Sequence, residues 1–334
     1  MGRDVLILRE PEIRTLLDPA ACVEAVEKAL AAYAGGRAEL PAVINLEVPE
    51  SRGEIHIKSG HLHGSPYYAV KIASGFPANA EKGLPASDGM VLVFDATTGF
   101  PAAFLLDNGY ITDLRTGAAG AVAAKHLARR DVKTVAVIGS GAQARCQVRM
   151  LALVRQFGEV RVWGRHPERA RACVEDLRRS PDLPRGCRCD VAASVRAAVE
   201  GADVVFTVTA SREPLVRAAW LSPGCTVIAL GSDGPDKQEL DPDVLARADR
   251  IVADSLSQCL RLGEIHHAVD KGAITKDKVA AELGEITGGA KPGRRSDREI
   301  IVCDLTGVGV QDVAAASLVM ERARKSGLGE RLAL

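Results

Sequence analysis

The chain has 334 residues, enough for two domains, and its 47% apolar and 26% charged residues are an ordinary globular balance. Lys plus Arg equal Asp plus Glu at 43 each, so bulk charge gives no reason to expect nucleic acid or an anionic membrane surface as a partner. No stretch approaches the roughly 18 consecutive apolar residues of a membrane span. The apolar core of residues 1–10 is too short for a secretory signal, and Leu6 stands where myristoylated termini carry Ser or Thr. The eight Cys are scattered without metal-like spacing, so a cytoplasmic protein with reduced thiols is expected.

In chain order, Ala20, Val23, Val26, Leu30 and Tyr33 at helical spacing predict a helix over 9–34, opened by Asp18-Pro19. From about residue 43 the pattern becomes short β segments at 44–48, 54–58, 68–72 and 90–94, divided by Gly- and Pro-bearing turns. A helix dense in Ala and Gly follows over 112–129, where small side chains let neighbouring backbones approach. Strands at 134–138, 159–163, 204–208, 226–230, 250–252 and 299–302 then alternate with helices, clearest at 142–155, 167–177 and 193–200. That rhythm predicts a parallel sheet covered on both faces. The tail over 313–325 is apolar at helical spacing and can pack back on the first domain, making it discontinuous. The expected fold class is α/β, with a doubly wound sheet over 129–312 and a second domain from 1–128 and 313–334.

The strand Val135-Ala-Val-Ile138 runs straight into Gly139-Ser-Gly-Ala-Gln-Ala144, and a helix-like segment follows. This join cradles a dinucleotide pyrophosphate: the first Gly allows the tight turn, the second admits the phosphates, and Ala144 keeps helix close to strand. Gly139, Gly141, Ala142 and Gln143 are therefore candidate cofactor residues, with Thr207 and Thr209 at the end of a later strand on the nicotinamide side. NAD sites usually end the second strand in an acid; here Trp163-Gly164-Arg165-His166-Pro167 has none. Arg165 can pair with a 2′-phosphate, which favours NADP over NAD, unless it is simply a solvated loop cation.

Asp233, in Gly231-Ser-Asp-Gly-Pro-Asp-Lys-Gln-Glu-Leu240, follows a strand whose carboxyl end should face ligand. It can orient water or exchange a proton, or it can form an Asx turn set by Gly234-Pro235. Lys71 interrupts the apolar run 68–72, and the pattern alone makes it a solvent-facing strand residue. Arg115, early in the 112–129 helix, can clamp a carboxylate bidentately or pair with Asp113 on the helix surface. His56 and Lys58 share one face of 54–58 and, with Lys71, form a cationic wall or else an exposed polar face. His266-His267 lacks a third ligand at useful spacing and reads as helix surface or interface, so no metal is expected.

Across nearly its full length the chain resembles the ornithine cyclodeaminase/mu-crystallin family. The likeness rests on Val70-Lys-Ile, Gly83-Leu-Pro, Asp107-Asn-Gly-Tyr-Ile-Thr-Asp-Leu-Arg-Thr116, Ala121-Val-Ala-Ala-Lys-His-Leu-Ala-Arg, the glycine turn, Gly231-Ser-Asp and Asp304-Leu-Thr-Gly-Val-Gly-Val-Gln-Asp312. Within the family it looks most like the ectoine-utilisation branch, on Asp254-Ser-Leu, Arg261-Leu-Gly-Glu-Ile-His-His-Ala268 and Lys291-Pro-Gly-Arg294. The resemblance implies a Rossmann domain plus a discontinuous α+β domain that binds substrate and forms a homodimer. It also implies hydride transfer between a nicotinamide and the α-carbon of an amino or imino acid. It assigns the α-carboxylate to Lys71 and Arg115, and water or proton transfer to Asp233.

Three departures shape the expected substrate. Pro41-Ala-Val43 lacks an arginine that many members carry, a charge Lys58 can replace, and Ala86 stands where Ser or Thr is common, with Ser87 adjacent. Ornithine cyclodeaminase places an acid near His56 to hold the distal ammonium; a cation there, at about 4 Å and an effective dielectric of about 20, would instead cost about 4 kcal/mol. The expected activity is an NAD(P)-dependent imine reductase or amino-acid dehydrogenase acting on an α-imino acid, a dicarboxylic one such as iminosuccinate included. The rivals are a cyclodeaminase, a lyase that recycles NAD internally, and a non-enzymatic crystallin-like binding protein; intact Lys71, Arg115 and Asp233 speak against the last.

Overall fold

The computed structural model describes residues 4–333, apart from the side chain of Ala80. The readings made at Met1 and Gly2 lie outside the described residues. Two compact units emerge, Met1–Arg115 with Val308–Leu334, and Thr116–Gly307. The divisions between these compact units fall after Arg115 and Gly307. From Thr116 onward the helix packs within the second unit: a Cβ on Gly117 would lie 2.5 Å from Cys146 Sγ, and one on Gly120 would lie 1.9 Å from Gln147 Oε1. Among the described residues no helix is long and apolar enough to cross a membrane.

The first unit opens with β1 (Asp4–Arg9), α1 (Glu10–Leu16) and α2 (Pro19–Ala34). The single helix expected over 9–34 is two, with residue 9 in a strand. Pro19 cannot donate a backbone hydrogen bond to continue α1, and the Asp18 side chain caps α2 by accepting from Ala21 N at 2.8 Å. Strands β2 (Ala38–Glu39), β3 (Ile44–Val48), β4 (Gly53–Leu62), β5 (Tyr67–Gly75), β6 (Ser87–Asp95) and β7 (Pro101–Leu106) follow, then α3 (Tyr110–Leu127).

In the second unit, β8 (Thr134–Ile138), β9 (Glu159–Trp163), β10 (Arg188–Val191), β11 (Val204–Thr207), β12 (Thr226–Ala229), β13 (Arg250–Ala253), β14 (Val279–Glu282) and β15 (Ile301–Asp304) form one sheet. Its order is β10-β9-β8-β11-β12-β15-β13-β14, with every pairing parallel. The helices are α4 (Ala142–Ala152), α5 (Pro167–Arg179), α6 (Val195–Val199), α7 (Pro242–Arg247), α8 (Leu256–Cys259), α9 (Gly263–Asp270) and α10 (Leu283–Thr287). From β8 the chain winds outward through β9 and β10, then returns to β11 on the other side. That reversal opens a crevice at the carboxyl ends of β8 and β11, where doubly wound sheets bind ligands.

The chain then re-enters the first unit as α11 (Gly309–Ser326) and β16 (Glu330–Ala333). There the sheet order is β16-β1-β7-β6-β5-β4-β2, with β3 on β4, antiparallel except for β1 beside β7. Helix α11 packs on β4, β5 and α2. It begins four residues earlier than the apolar periodicity indicated, and those four residues matter for the site.

Candidate active site

Two glycines let α11 settle on the sheet of the first unit. A Cβ on Gly309 would lie 2.3 Å from the Ser59 carbonyl oxygen, and one on Gly60 would lie 3.3 Å from the Gly309 backbone. The first turn of α11 therefore brings Gln311 and Asp312 to Lys71 on β5 and Arg115 on α3. Asp312 Oδ1 lies 2.9 Å from Arg115 Nε and 3.7 Å from Lys71 Nζ. Arg115 Nη1 donates to Gln311 Oε1 at 2.9 Å. None of Lys71, Arg115, Gln311, Asp312 or Lys58, the cross-strand partner of Lys71, is more than 4% exposed.

Lys71 is thus not the solvent-facing residue its pattern suggested. Tyr67, Ala69 and Lys71 take the buried side of β5, whereas Val70 and Ile72 are only half-buried on the other face. A period-2 pattern separates two faces without saying which is covered. Arg115 likewise pairs with Asp312 from a distant helix. Burying an ammonium and a guanidinium is expensive unless they are compensated. Lys71 and Arg115 both face the Asp312 carboxylate, and two buried cations on one wall suit an arriving carboxylate. Gln311 Nε2 is buried with no hydrogen-bond partner, leaving a donor at the same place. Burial pushes the nearby Asp107 carboxyl up to about 6, and the Asp312 charge adds to the effect.

Strand register puts Lys58, Lys71 and Val91 in one row, His56, Ala73 and Gly89 in the next, and Glu54, Gly75 and Ser87 in the third, all on the same face. The wall is therefore not uniformly cationic. The alternation that joins His56 to Lys58 also places Glu54 there, its Oε2 3.6 Å from His56 Nε2, while Asn45 Oδ1 sits 3.0 Å from His56 Nδ1. Ser87 is exposed in the outermost row.

In the second unit the glycine turn follows β8, and Val208 N donates to Ile138 O at 2.9 Å. A Cβ on Gly139 would lie 2.7 Å from Val208 O, whereas one on Gly141 would meet nothing within 4 Å. The turn is thus closed towards β11 and open in front of Gly141, which caps α4 with helix N–H groups aimed outward. A cavity of about 250 Å³ lies there, lined among others by Gly139, Gly141, Gly164, Arg165, Thr209 and Ser211. A glycine turn at a helix start is the lining a dinucleotide pyrophosphate needs, and Arg165 stands exposed on the same cavity. Ala142 and Gln143 form the first turn of α4, Gln143 accepting from Gln147 Nε2 at 3.1 Å. Thr207 does not line the cavity; it is fully buried as the last residue of β11, and Thr209 is the one at the rim.

Asp233, in the loop after β12, accepts from Lys237 Nζ at 2.8 Å. Of the histidine pair expected at a helix surface or interface, His266 is buried and His267 half-buried on α9, their rings 3.8 Å apart. His266 Nδ1 is 2.8 Å from Gly263 O, and His267 Nε2 is 2.8 Å from Lys237 O. Sequence reasoning missed Gln311, Asp312 and the buried acids Glu239, Glu264 and Asp304. The one signal for the first two was a polar dipeptide directly after Gly307-Val-Gly-Val, where the helix begins.

Those buried acids predict a pH dependence. Burial raises Glu239 from 4.5 to about 7 and Asp304 from 3.8 to about 8, and holds Glu264 well above its ordinary range. Between those limits the folded chain keeps protons that the unfolded chain has released. These groups therefore stabilise fully below about pH 4, and the contribution is lost as pH rises towards about 8. The melting temperature should fall from about pH 5 to about pH 8. Asp304→Asn, which keeps an acceptor for the Glu264 and Ile265 N–H groups but cannot ionise, should flatten that slope. A calorimetric pH series giving equal slopes for both proteins would refute the assignment.

The model of the ornithine cyclodeaminase/mu-crystallin family matches residues 3–327. An uncharacterized cyclodeaminase of Sinorhizobium fredii is 44% identical over 97% of this chain and 97% of its own. An archaeal alanine dehydrogenase dimer with bound NAD superposes with a TM-score of 0.91 at 38% identity, covering 99% of each chain. The Delta(1)-pyrroline-2-carboxylate reductase of Thermococcus litoralis, solved with NADH and L-proline, gives a TM-score of 0.93 at 32% identity over 98% of this chain and 100% of the other.

Proposed function

The chain belongs to the ornithine cyclodeaminase/mu-crystallin family, and from that premise we propose that it is an NAD(P)-dependent oxidoreductase acting on the C–N bond of a small α-amino or α-imino acid. The observation that carries the reading is the buried Lys71–Asp312–Arg115 cluster, a carboxylate receptor built into a protein whose other unit has a dinucleotide turn. Lys71 and Arg115 bind the α-carboxylate, and Asp312 holds the two cations in place. Gln311 Nε2 supplies a further donor. Lys71 also polarises the imine, and Asp233, tied to Lys237, moves a proton at the substrate nitrogen. A dinucleotide bound with its pyrophosphate at Gly139 and Gly141 and its nicotinamide towards Thr209 would supply or take the hydride. Arg165 supports NADP(H) as the preferred form.

A homodimer suits the first unit, whose second sheet face is apolar and open. Ile44, Ile57, Ile72 and Met90 form one row of that face, with Ile44 58% and Met90 38% exposed. All eight cysteines are free thiols, as suits a reducing, cytoplasmic setting.

The test is to mix enzyme, NADPH or NADH, ammonia and a panel of 2-oxo acids and imino acids, and to follow absorbance of the reduced cofactor. Absence of oxidation with every acid would overturn the reductase reading. Glu54 beside His56 favours one second reading, a cyclodeaminase that holds a distal ammonium at the outer row. Ammonia release from a diamino acid with no net change in cofactor would select it.

A further inference from the structure

We propose that Glu239 is a positioning residue for the nicotinamide cofactor, clasping the loop after β11, which lines the dinucleotide cavity, to the loop after β12, which carries Asp233. The role rests on the reading of the second unit as a nicotinamide-binding unit. Glu239 is fully buried. Its Oε1 accepts from Thr209 N at 2.5 Å and Thr209 Oγ1 at 2.7 Å, and its Oε2 accepts from Gly231 N at 2.9 Å. A Cβ on Gly231 would lie 2.1 Å from Thr209 O and 2.7 Å from the Glu239 carboxyl carbon, so only glycine lets the three groups meet. Thr209 Oγ1 in turn accepts from Ser211 N at 3.2 Å, which extends the clasp along the cavity rim.

Glu239 is itself held from behind. Its own N–H and that of Leu240 donate to the two carboxylate oxygens of Glu264, at 2.7 and 3.0 Å. The N–H groups of Glu264 and Ile265 donate to Asp304 Oδ2, both at 2.9 Å. Glu264 and Asp304 are each 1% exposed. Three buried carboxylates thus each take two backbone N–H groups, and the series ends on the two loops at the ligand edge of the sheet. A merely structural acid would have no reason to finish there. The backbone N–H groups of Thr209 and Gly231 can only donate, one to each oxygen of Glu239, so both oxygens must accept. A glutamine of the same shape would turn an NH2 group against one of the two loops and release it.

The test compares wild type with Glu239→Gln, measuring NADH and NADPH binding by nicotinamide fluorescence, KM for cofactor and for the imino acid separately, and thermal unfolding. Glu239→Gln should weaken cofactor binding about tenfold, the scale of a buried backbone N–H left without its acceptor. The KM for the imino acid should stay unchanged, and the emission of the bound reduced nicotinamide should shift. Wild-type cofactor affinity in a folded Glu239→Gln protein would overturn the role. Should that variant fail to fold, Thr209→Val removes the hydroxyl that donates to Glu239 and accepts from Ser211 N, and should weaken the cofactor about three- to tenfold; unchanged affinity there would overturn the role equally. A wild-type protein that binds neither cofactor would instead overturn the functional reading and this role with it.

Discussion

Replacing Lys71 by Met should lower kcat roughly 100- to 1,000-fold, the scale seen when one charged donor to a reacting group is removed, while leaving NAD(P)H binding intact. The ammonium is 2% exposed and shares Asp312 with Arg115, so its charge acts in a site largely screened from water. Met fills nearly the same volume and leaves Arg115 and Asp312 as a one-to-one pair. Replacing a buried ammonium by an apolar side chain of similar volume should hold or raise the melting temperature, since buried charges kept for function weaken the fold around them. Steady-state kinetics, cofactor titration and thermal unfolding on the same preparation check all three parts. A variant that keeps wild-type kcat would remove Lys71 from the chemistry.

Gly139→Ala should have the complementary effect. Gly139 sits at φ +132°, a backbone conformation that alanine reaches only with strain, and the added Cβ would fall 2.7 Å from Val208 O. Strain of this kind costs about 1–3 kcal/mol, which, if relieved by opening the turn, weakens dinucleotide binding about 5- to 150-fold. The contact with Val208 pushes towards the upper end. Binding of reduced cofactor followed by fluorescence, with circular dichroism to verify the fold, measures it. Affinity within experimental error of wild type would mean that the turn does not cradle the cofactor. Together the two variants separate the units: one should damage turnover with binding intact, the other binding itself.

Much of the second unit was readable from residue order. Buried parallel strands are continuous apolar runs, and the ends expected at 134–138 and 159–163 coincide with β8 and β9. Boundaries drifted where the chain leaves a strand gradually: the strand expected over 299–302 is Ile301–Asp304, which shifts Asp304 from a loop to a strand end. The first unit was less legible. Strands β1, β2, β7 and β16 are absent from the sequence reading: β2 has only two residues, and β1 and β16 complete the sheet only by pairing the start of the chain with its end. Asp18-Pro19 opens α2 and, by the same missing N–H, separates it from α1.

The sites divide in the same way. Gly139 and Gly141 were identifiable because the whole device is local: turn, cap and helix start lie within a few residues, and φ sterics allow few alternatives there. Lys71, Arg115 and Asp233 were flagged as candidates by type and neighbourhood, but their partners were out of reach. The carboxylate that joins Lys71 to Arg115 comes from position 312, and the acid that clasps Thr209 to Gly231 comes from position 239.

What residue order determined by itself was the class of fold, the glycine turn after β8 and the family, because periodicity, glycine placement and long motif matches are short-range information. What only the tertiary structure decided was which strand face is covered, which acid each buried cation meets, and that Glu54 stands with His56. Those outcomes depend on pairs brought together by packing, whose energies decide burial and charge compensation only after the chain has closed on itself.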